Sequence, residues 1–133
     1  MTGKKIIITA GDVTLDAELN QSETAQRIFD ALPLEGRANV WGEEIYFEIP
    51  LQLEMETDAR ADVEVGDLGY WPTGTAFCIF FGPTPVSINE KPRSYSPVNV
   101  VGRVLGDTAL FRMVTDSALI RLEAESAFDI PSL

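Results

Sequence analysis

Ala76-Phe77-Cys78-Ile79-Phe80-Phe81 is an unbroken apolar run, bounded by Gly74 on one side and Gly82-Pro83 on the other. A short apolar run between glycines reads as a strand covered on both faces, since a strand with one wet face would alternate with polar residues. The period of two divides it: Ala76, Cys78 and Phe80 point one way, and Phe77, Ile79 and Phe81 the other. The second set is expected to fill the core and the first to line a pocket on the outer surface.

Working outward, Gly36 to Pro50 reads as a hairpin. Arg37-Ala38-Asn39-Val40 leads in, Gly42 marks the turn and Glu44 to Ile49 leads out. Ile45, Phe47 and Ile49 share one face; Glu44 and Tyr46 share the other. Leu51, Leu53 and Met55 continue as a weaker strand. Lys4–Ala10 and Val13–Asn20 form an N-terminal hairpin about Gly11-Asp12. Between the hairpins the period changes: Ala25, Ile28, Phe29 and Leu32 make one helical stripe, capped by Asn20 or Ser22 and stopped at Pro33.

On the other side of the run, Ile88 to Pro97 reads as a proline-containing loop and Val98 to Leu105 as a strand. Gly102 inside that strand marks a bulge or a close backbone approach. Asp107 caps a short helix with Leu110, Phe111 and Val114 as its stripe. Ala118 to Glu125 alternates as a last strand, and residues 126–133 read as a tail. About eight short strands and two short helices imply a mainly β fold. A closed eight-stranded barrel with one or two short capping helices would leave no free edges.

The chain has 133 residues, 45% of them apolar, which fits one domain over 1–133 with its core at about 4–125. Its 21 Asp+Glu against 10 Lys+Arg give a net charge of −11. Such a chain repels phosphate backbones and anionic headgroups, and its arginines are scattered, so neither nucleic acid nor membrane is an expected partner. Cys78 is the only cysteine, so no intrachain disulfide forms, and its apolar neighbours suggest an inert thiol. No histidine is present, which removes Cys-His and Ser-His-Asp catalysis and most zinc sites. Glu54 to Asp67 carries six acids and one arginine, but not the D-x-D-x-D-G-x5-E calcium spacing; it reads as an exposed connection. No metal and no cofactor is expected. Lys4-Lys5 precede only three consecutive apolar residues, short of the roughly 7–15 of a signal peptide or the roughly 20 of a spanning helix. The cytoplasm is the expected location, and the oligomeric state is left open.

Two stretches resemble cyclophilins. Gly74-Thr75-Ala76-Phe77-Cys78-Ile79 is similar to that family's G-S-Q-F-F-I strand, and Val98-Asn99-Val100-Val101-Gly102-Arg103-Val104-Leu105-Gly106 to its H-V-V-F-G-R-V-V-E-G strand. Residues 4–125 are closer to a small prokaryotic cyclophilin-like family of uncharacterised function. Its hallmark stretches resemble Glu23-Thr24-Ala25, Trp41 to Phe47, Gly66 to Pro72 and Phe80 to Pro85. The resemblance implies an eight-stranded barrel capped by helices, and a groove on the surface where cyclophilins turn prolyl bonds. The polar machinery of that reaction is changed here. Ala76 replaces the Gln, Cys78 the pocket Phe and Val98 the His, while aligning the Trp41 hairpin puts Asn39 where the catalytic Arg would stand. An amide supplies no fixed positive charge to a transition state that needs one.

The candidate groove residues are Asn39, Trp41, Glu44, Tyr46, Tyr70, Ala76, Cys78, Phe80, Thr84, Arg93 and Val98. Glu44 and Tyr46 either face the groove or face solvent. Trp41, Tyr70 and Trp71 either offer flat contact surfaces or close an end of the fold. Arg93 can meet a ligand carboxylate or a local acid. Three functions follow from this set. The first is a binding module whose apolar, aromatic-edged groove takes a peptide segment or a small molecule. The second is a divergent prolyl isomerase. The third is an enzyme acting on a small substrate through Glu44, Tyr46 or Arg93.

Overall fold

The computed structural model describes residues 3–125; the expected tail, 126–133, lies outside them. The ten strands are β1 (Lys4–Ala10), β2 (Val13–Leu19), β3 (Leu34–Arg37), β4 (Asn39–Val40), β5 (Glu44–Glu48), β6 (Arg60–Asp62), β7 (Asp67–Trp71), β8 (Ala76–Phe80), β9 (Arg93–Val104) and β10 (Leu119–Ala124). Helix α1 spans Glu23–Ala31, and a six-residue 3-10 helix spans Thr108–Met113. Ser22 caps α1 by accepting from the Ala25 N–H, and Asp107 caps the 3-10 helix in the same manner.

All ten strands belong to one antiparallel sheet, in the order β3-β10-β1-β2-β9-β7-β8-β5-β4, with β6 added along β9. The sheet does not close, so the expected eight-stranded barrel is wrong. Its margins, β3 and β4, are consecutive in the chain, but no ladder joins them. The intervening Ala38 spends both backbone groups on residues 117 and 118, before β10: its N–H donates to Ala118 O at 2.8 Å and its C=O accepts from Ser117 N at 2.8 Å. The chain then crosses to pair Asn39 with Tyr46 on β5. At the seam a side chain stands in for a ladder. A Cβ on Gly36 would lie 2.6 Å from Cδ2 of the Phe47 ring. The free margins are four and two residues long, and short edges are another way to make unpaired backbone harmless. The inference from edge avoidance to closure therefore fails. So does the reading of Arg37 to Val40 as one strand, because its two halves pair with different partners.

The alternation of the central run holds. Phe77, Ile79 and Phe81 join the main core with Ile6, Ile8, Ile45, Phe47, Val101 and Phe111. Helix α1 adds Ala25 and Ile28 from its apolar stripe. On the opposite face Cys78 and Phe80 pack with Val63 and Val98 into a second, smaller cluster. Gly69 permits this packing, since a Cβ there would lie 3.0 Å from Val98 Cγ2. Gly102 answers to both expectations. The ladder of β9 with β7 shifts register beside it, and a Cβ on it would lie 2.1 Å from Glu18 O.

Other boundaries differ from expectation. No strand forms at Leu51, Leu53 and Met55. That segment is held by side chains instead: the Tyr70 hydroxyl donates to Leu51 O at 2.6 Å and accepts from Leu53 N at 3.0 Å. Buried Asn99 accepts from Glu56 N and donates to Glu54 O and Thr24 Oγ1, tying the segment to α1. The acidic connection is thus partly fastened, and within it Arg60–Asp62 forms β6. The loop expected at Ile88 to Pro97 ends early, because β9 begins at Arg93. Pro97 is tolerated there since Ser94 to Val98 pair only with β6.

Candidate functional site

The early start of β9 builds the site. It lifts Ser94 and Tyr95 over the outer face of the sheet, opposite the side chains that rise from β5 and β7. Together with Trp41, Glu44, Tyr46 and Trp71 they enclose a cavity of about 260 Å³.

Register explains the convergence. Tyr46 pairs with Cys78, Glu44 with Phe80, and Trp71 with Ala76, so all six side chains share the outer face. Trp41 arrives from the hairpin turn. Its N–H donates to Glu44 O and its C=O accepts from Glu44 N, with Gly42 at φ 61° between them. Segment 82–85 backs this turn, with Glu43 N donating to Pro83 O at 2.9 Å.

Four rings make the wall. Trp41 and Tyr95 meet edge to face at 6.3 Å, Tyr95 and Trp71 at 6.3 Å, and Trp71 and Tyr46 at 6.0 Å. Successive planes stand 75–82° apart, so the rings enclose space rather than stack. The Trp71 indole is anchored by its N–H, which donates to Ser96 Oγ at 2.6 Å. Tyr95 is the exposed lip, with 70% of its surface open.

Among the described residues Glu44 is the one acid lining the cavity. Only 4% of its surface is exposed, and among the described residues its Oε1 has no hydrogen-bond partner. Burial pushes its carboxyl up from 4.5 to about 7, and a contact with the Cys78 thiol pulls it partly back. Burial pushes the Cys78 thiol well up as well, and the neighbouring Glu44 adds to the effect. Glu43 points elsewhere, to Arg112 at 3.0 Å. The two adjacent glutamates therefore occupy separate environments, as strand geometry requires.

Of the expected groove residues, Trp41, Glu44 and Tyr46 line the cavity. Ala76, Cys78, Phe80 and Val98 face the expected side but lie buried beneath it. Tyr70 faces the main core. Asn39 sits on edge strand β4, its amide donating to Tyr46 O at 3.3 Å. Thr84 donates to Arg93 O and fastens the 82–85 segment to β9. Arg93 turns to Asp62 at 3.7 Å and does not line the cavity. The expected set omitted Trp71, Ser94 and Tyr95. Trp71 carried a signal as one of only two tryptophans; Ser94 and Tyr95 were hidden by the reading of their segment as a loop.

Among the described residues no three His, Cys, Asp or Glu side chains gather as a metal would require, and no helix is long and apolar enough to cross a membrane.

A single antiparallel sheet with a small outer cluster beneath an aromatic cavity defines a mainly β domain. The chain belongs to the cyclophilin-like family, whose pattern matches residues 4–123. Its structure is similar to the solution structure of the hypothetical protein AF2241 from Archaeoglobus fulgidus, with 35% identity and a TM-score of 0.78, covering 93% of this chain and 96% of that one. It is more distantly similar to the structure of McbB in complex with tryptophan, with 18% identity and a TM-score of 0.63. That likeness covers 91% of this chain and 45% of McbB and concerns the fold alone. No curated protein matches the chain.

Proposed function

We propose that this protein is a binding module that holds a small organic molecule in the cavity of Trp41, Glu44, Tyr46, Trp71 and Tyr95, without turning prolyl bonds. The observation that carries this reading is the ring wall itself. Four large, rigid side chains are held in mutual edge-to-face contact around open space, where an isolated core would have packed them shut. Rigid aromatic walls lose little entropy on binding and offer a large contact area.

Prolyl isomerisation has less support. A guanidinium is needed beside the twisting amide, and no arginine lines the cavity. The residue aligned with that position, Asn39, engages a backbone carbonyl, and Arg93 engages Asp62. A second reading, chemistry on a small substrate, is favoured by one observation: a Glu44 carboxyl near 7 is poised to give or take a proton at neutral pH. Arg93, which was to join Glu44 and Tyr46 in that role, stays away.

Both tryptophans of the chain line the cavity, so intrinsic fluorescence reports on it directly. A small-molecule library, with tryptophan itself followed by calorimetry because McbB was solved with it, is to be titrated into the full chain. Binding that shifts the emission and is lost in Trp71→Ala supports the reading. Ligands that bind equally well to Trp71→Ala, or acceleration of a coupled prolyl-peptide assay above background, overturn it. Consumption of a bound ligand, lost in Glu44→Gln, moves the assignment to an enzyme.

A further inference from the structure

We infer that the molecule held in this cavity is an alkylated ammonium cation, its charged head enclosed by Trp41, Tyr46, Trp71 and Tyr95 over the Glu44 carboxylate. The inference deepens the proposed function and rests on it.

Three features of the cavity select a cation. The faces of aromatic rings carry negative partial charge, and several rings set at steep angles to one another surround a cation better than a stack does. The acid among the lining residues is answered by no base, since neither Lys nor Arg lines the cavity. Glu44 forms no ion pair among the described residues, and its buried Oε1 has no donor. A buried acceptor without a donor is costly, and a bound donor or cation can recover that cost. The net charge of −11 also draws cations toward the protein.

Alkylation follows from what the walls do not offer. A primary ammonium brings three N–H donors and a tight hydration shell. Around this cavity the acceptors are few: the open oxygen of Glu44, with the hydroxyls of Ser94 and the tyrosines. A tertiary ammonium needs one acceptor and a quaternary ammonium none, and their alkyl groups pack against rings.

Binding draws Glu44 into its charged form. The titratable groups around it are the Cys78 thiol on β8, which touches it, Tyr46 on its own strand and Tyr95 on β9. Glu43, next in sequence, is engaged by Arg112. A quaternary cation does not titrate, so any pH dependence of its affinity belongs to the protein.

The test uses choline and its uncharged carbon isostere, 3,3-dimethylbutan-1-ol, titrated into the full chain by tryptophan fluorescence. Choline is expected to bind about tenfold or more tightly than the isostere. Glu44→Gln, which keeps the shape and removes the charge, is expected to cut choline affinity about tenfold and leave the isostere unchanged. If that variant does not fold, the wild-type pH profile decides. Choline affinity is expected to rise by roughly tenfold in all as pH rises from about 6 to about 7 and to level off above it. Equal binding of the two probes, a flat pH profile, or no response to millimolar choline overturns the inference. Loss of isostere binding in Trp71→Ala would then leave the cavity as a ligand site and remove only the cation. A trimethyllysine peptide titrated in parallel identifies the source: tighter binding than choline keeps the cation and makes its carrier a polypeptide.

Discussion

Glu44 and Cys78 are diagonal neighbours on β5 and β8, and the thiol touches the carboxyl beneath the aromatic cavity. The thiol is a weak donor, so it relieves only part of the cost of burying the acid. The floor of the cavity thus holds a carboxyl whose charge the fold resists and a ligand can restore.

Burial of this acid makes stability fall as pH rises. Between about 4.5 and about 7 the folded chain keeps the Glu44 proton that the unfolded chain has released. The folded state therefore binds more protons in that window, and its stability drops with increasing pH, then levels above about 7. The total is of the order of 3 kcal/mol. Asp67, also raised chiefly by burial, adds a loss of the same sign. Urea unfolding of wild type and Glu44→Gln across this range isolates the Glu44 part. The difference between the two proteins is expected to shrink toward acid pH, and a constant difference would refute the assignment.

Asn99→Ala is expected to cost about 3 kcal/mol, because it strands the Glu56 N–H and the Glu54 carbonyl and breaks the link to Thr24. Thr24 is itself bound to the Glu56 carboxylate through its N–H at 3.0 Å and through its hydroxyl. Amide exchange should accelerate first around residues 51–57 and at the start of α1, before the sheet opens.

Gly102→Ala is expected to destabilise by about 3 kcal/mol or more. The added Cβ would meet backbone, Glu18 O at 2.1 Å and Leu19 Cα at 2.9 Å, and backbone in a ladder cannot step aside cheaply. Chemical denaturation measures the loss. Gly11→Ala is a useful contrast. It suffers from φ 59°, but its Cβ would meet only the Ala118 side chain, at 3.7 Å.

Ser96→Ala tests the anchoring of the cavity wall. It removes the acceptor of the Trp71 indole N–H and is expected to cost stability about 1 kcal/mol, since the site is only partly buried. The larger effect should be on ligand affinity and on the Trp71 emission, as the ring loses its fixed orientation. Unchanged affinity would show that ring packing alone holds Trp71 in place.

The two faces of Ala76 to Phe81 were legible in the sequence because alternation along a strand is a local property. The same holds for the α1 stripe and the Gly11 turn, each decided within a few residues, while the cap was narrowed to Asn20 or Ser22. Glu44 and Tyr46 were legible as one face of β5 for the same reason. Ser94 and Tyr95 were not. Two prolines, Pro92 and Pro97, made their segment look irregular, and only pairing with β6 turns it into a strand. What covers Cys78, Phe80 and Val98 was hidden likewise, because β6 brings Val63 over them from a segment that reads as solvent-exposed acid.

By itself the sequence determined which residues alternate, where helices begin, which chemistries lack their side chains, and which family the strands belong to. The first three are matters of local periodicity and composition, and the family is a matter of the resemblance of short motifs. Tertiary structure alone decided that the sheet stays open at Ala38, that four rings stand around a space, and that one carboxyl lies beneath them with an oxygen left unpaired among the described residues. Those outcomes depend on register between strands far apart in the chain. A shift of one residue in that register would turn Glu44 into the core and Ile45 toward the cavity.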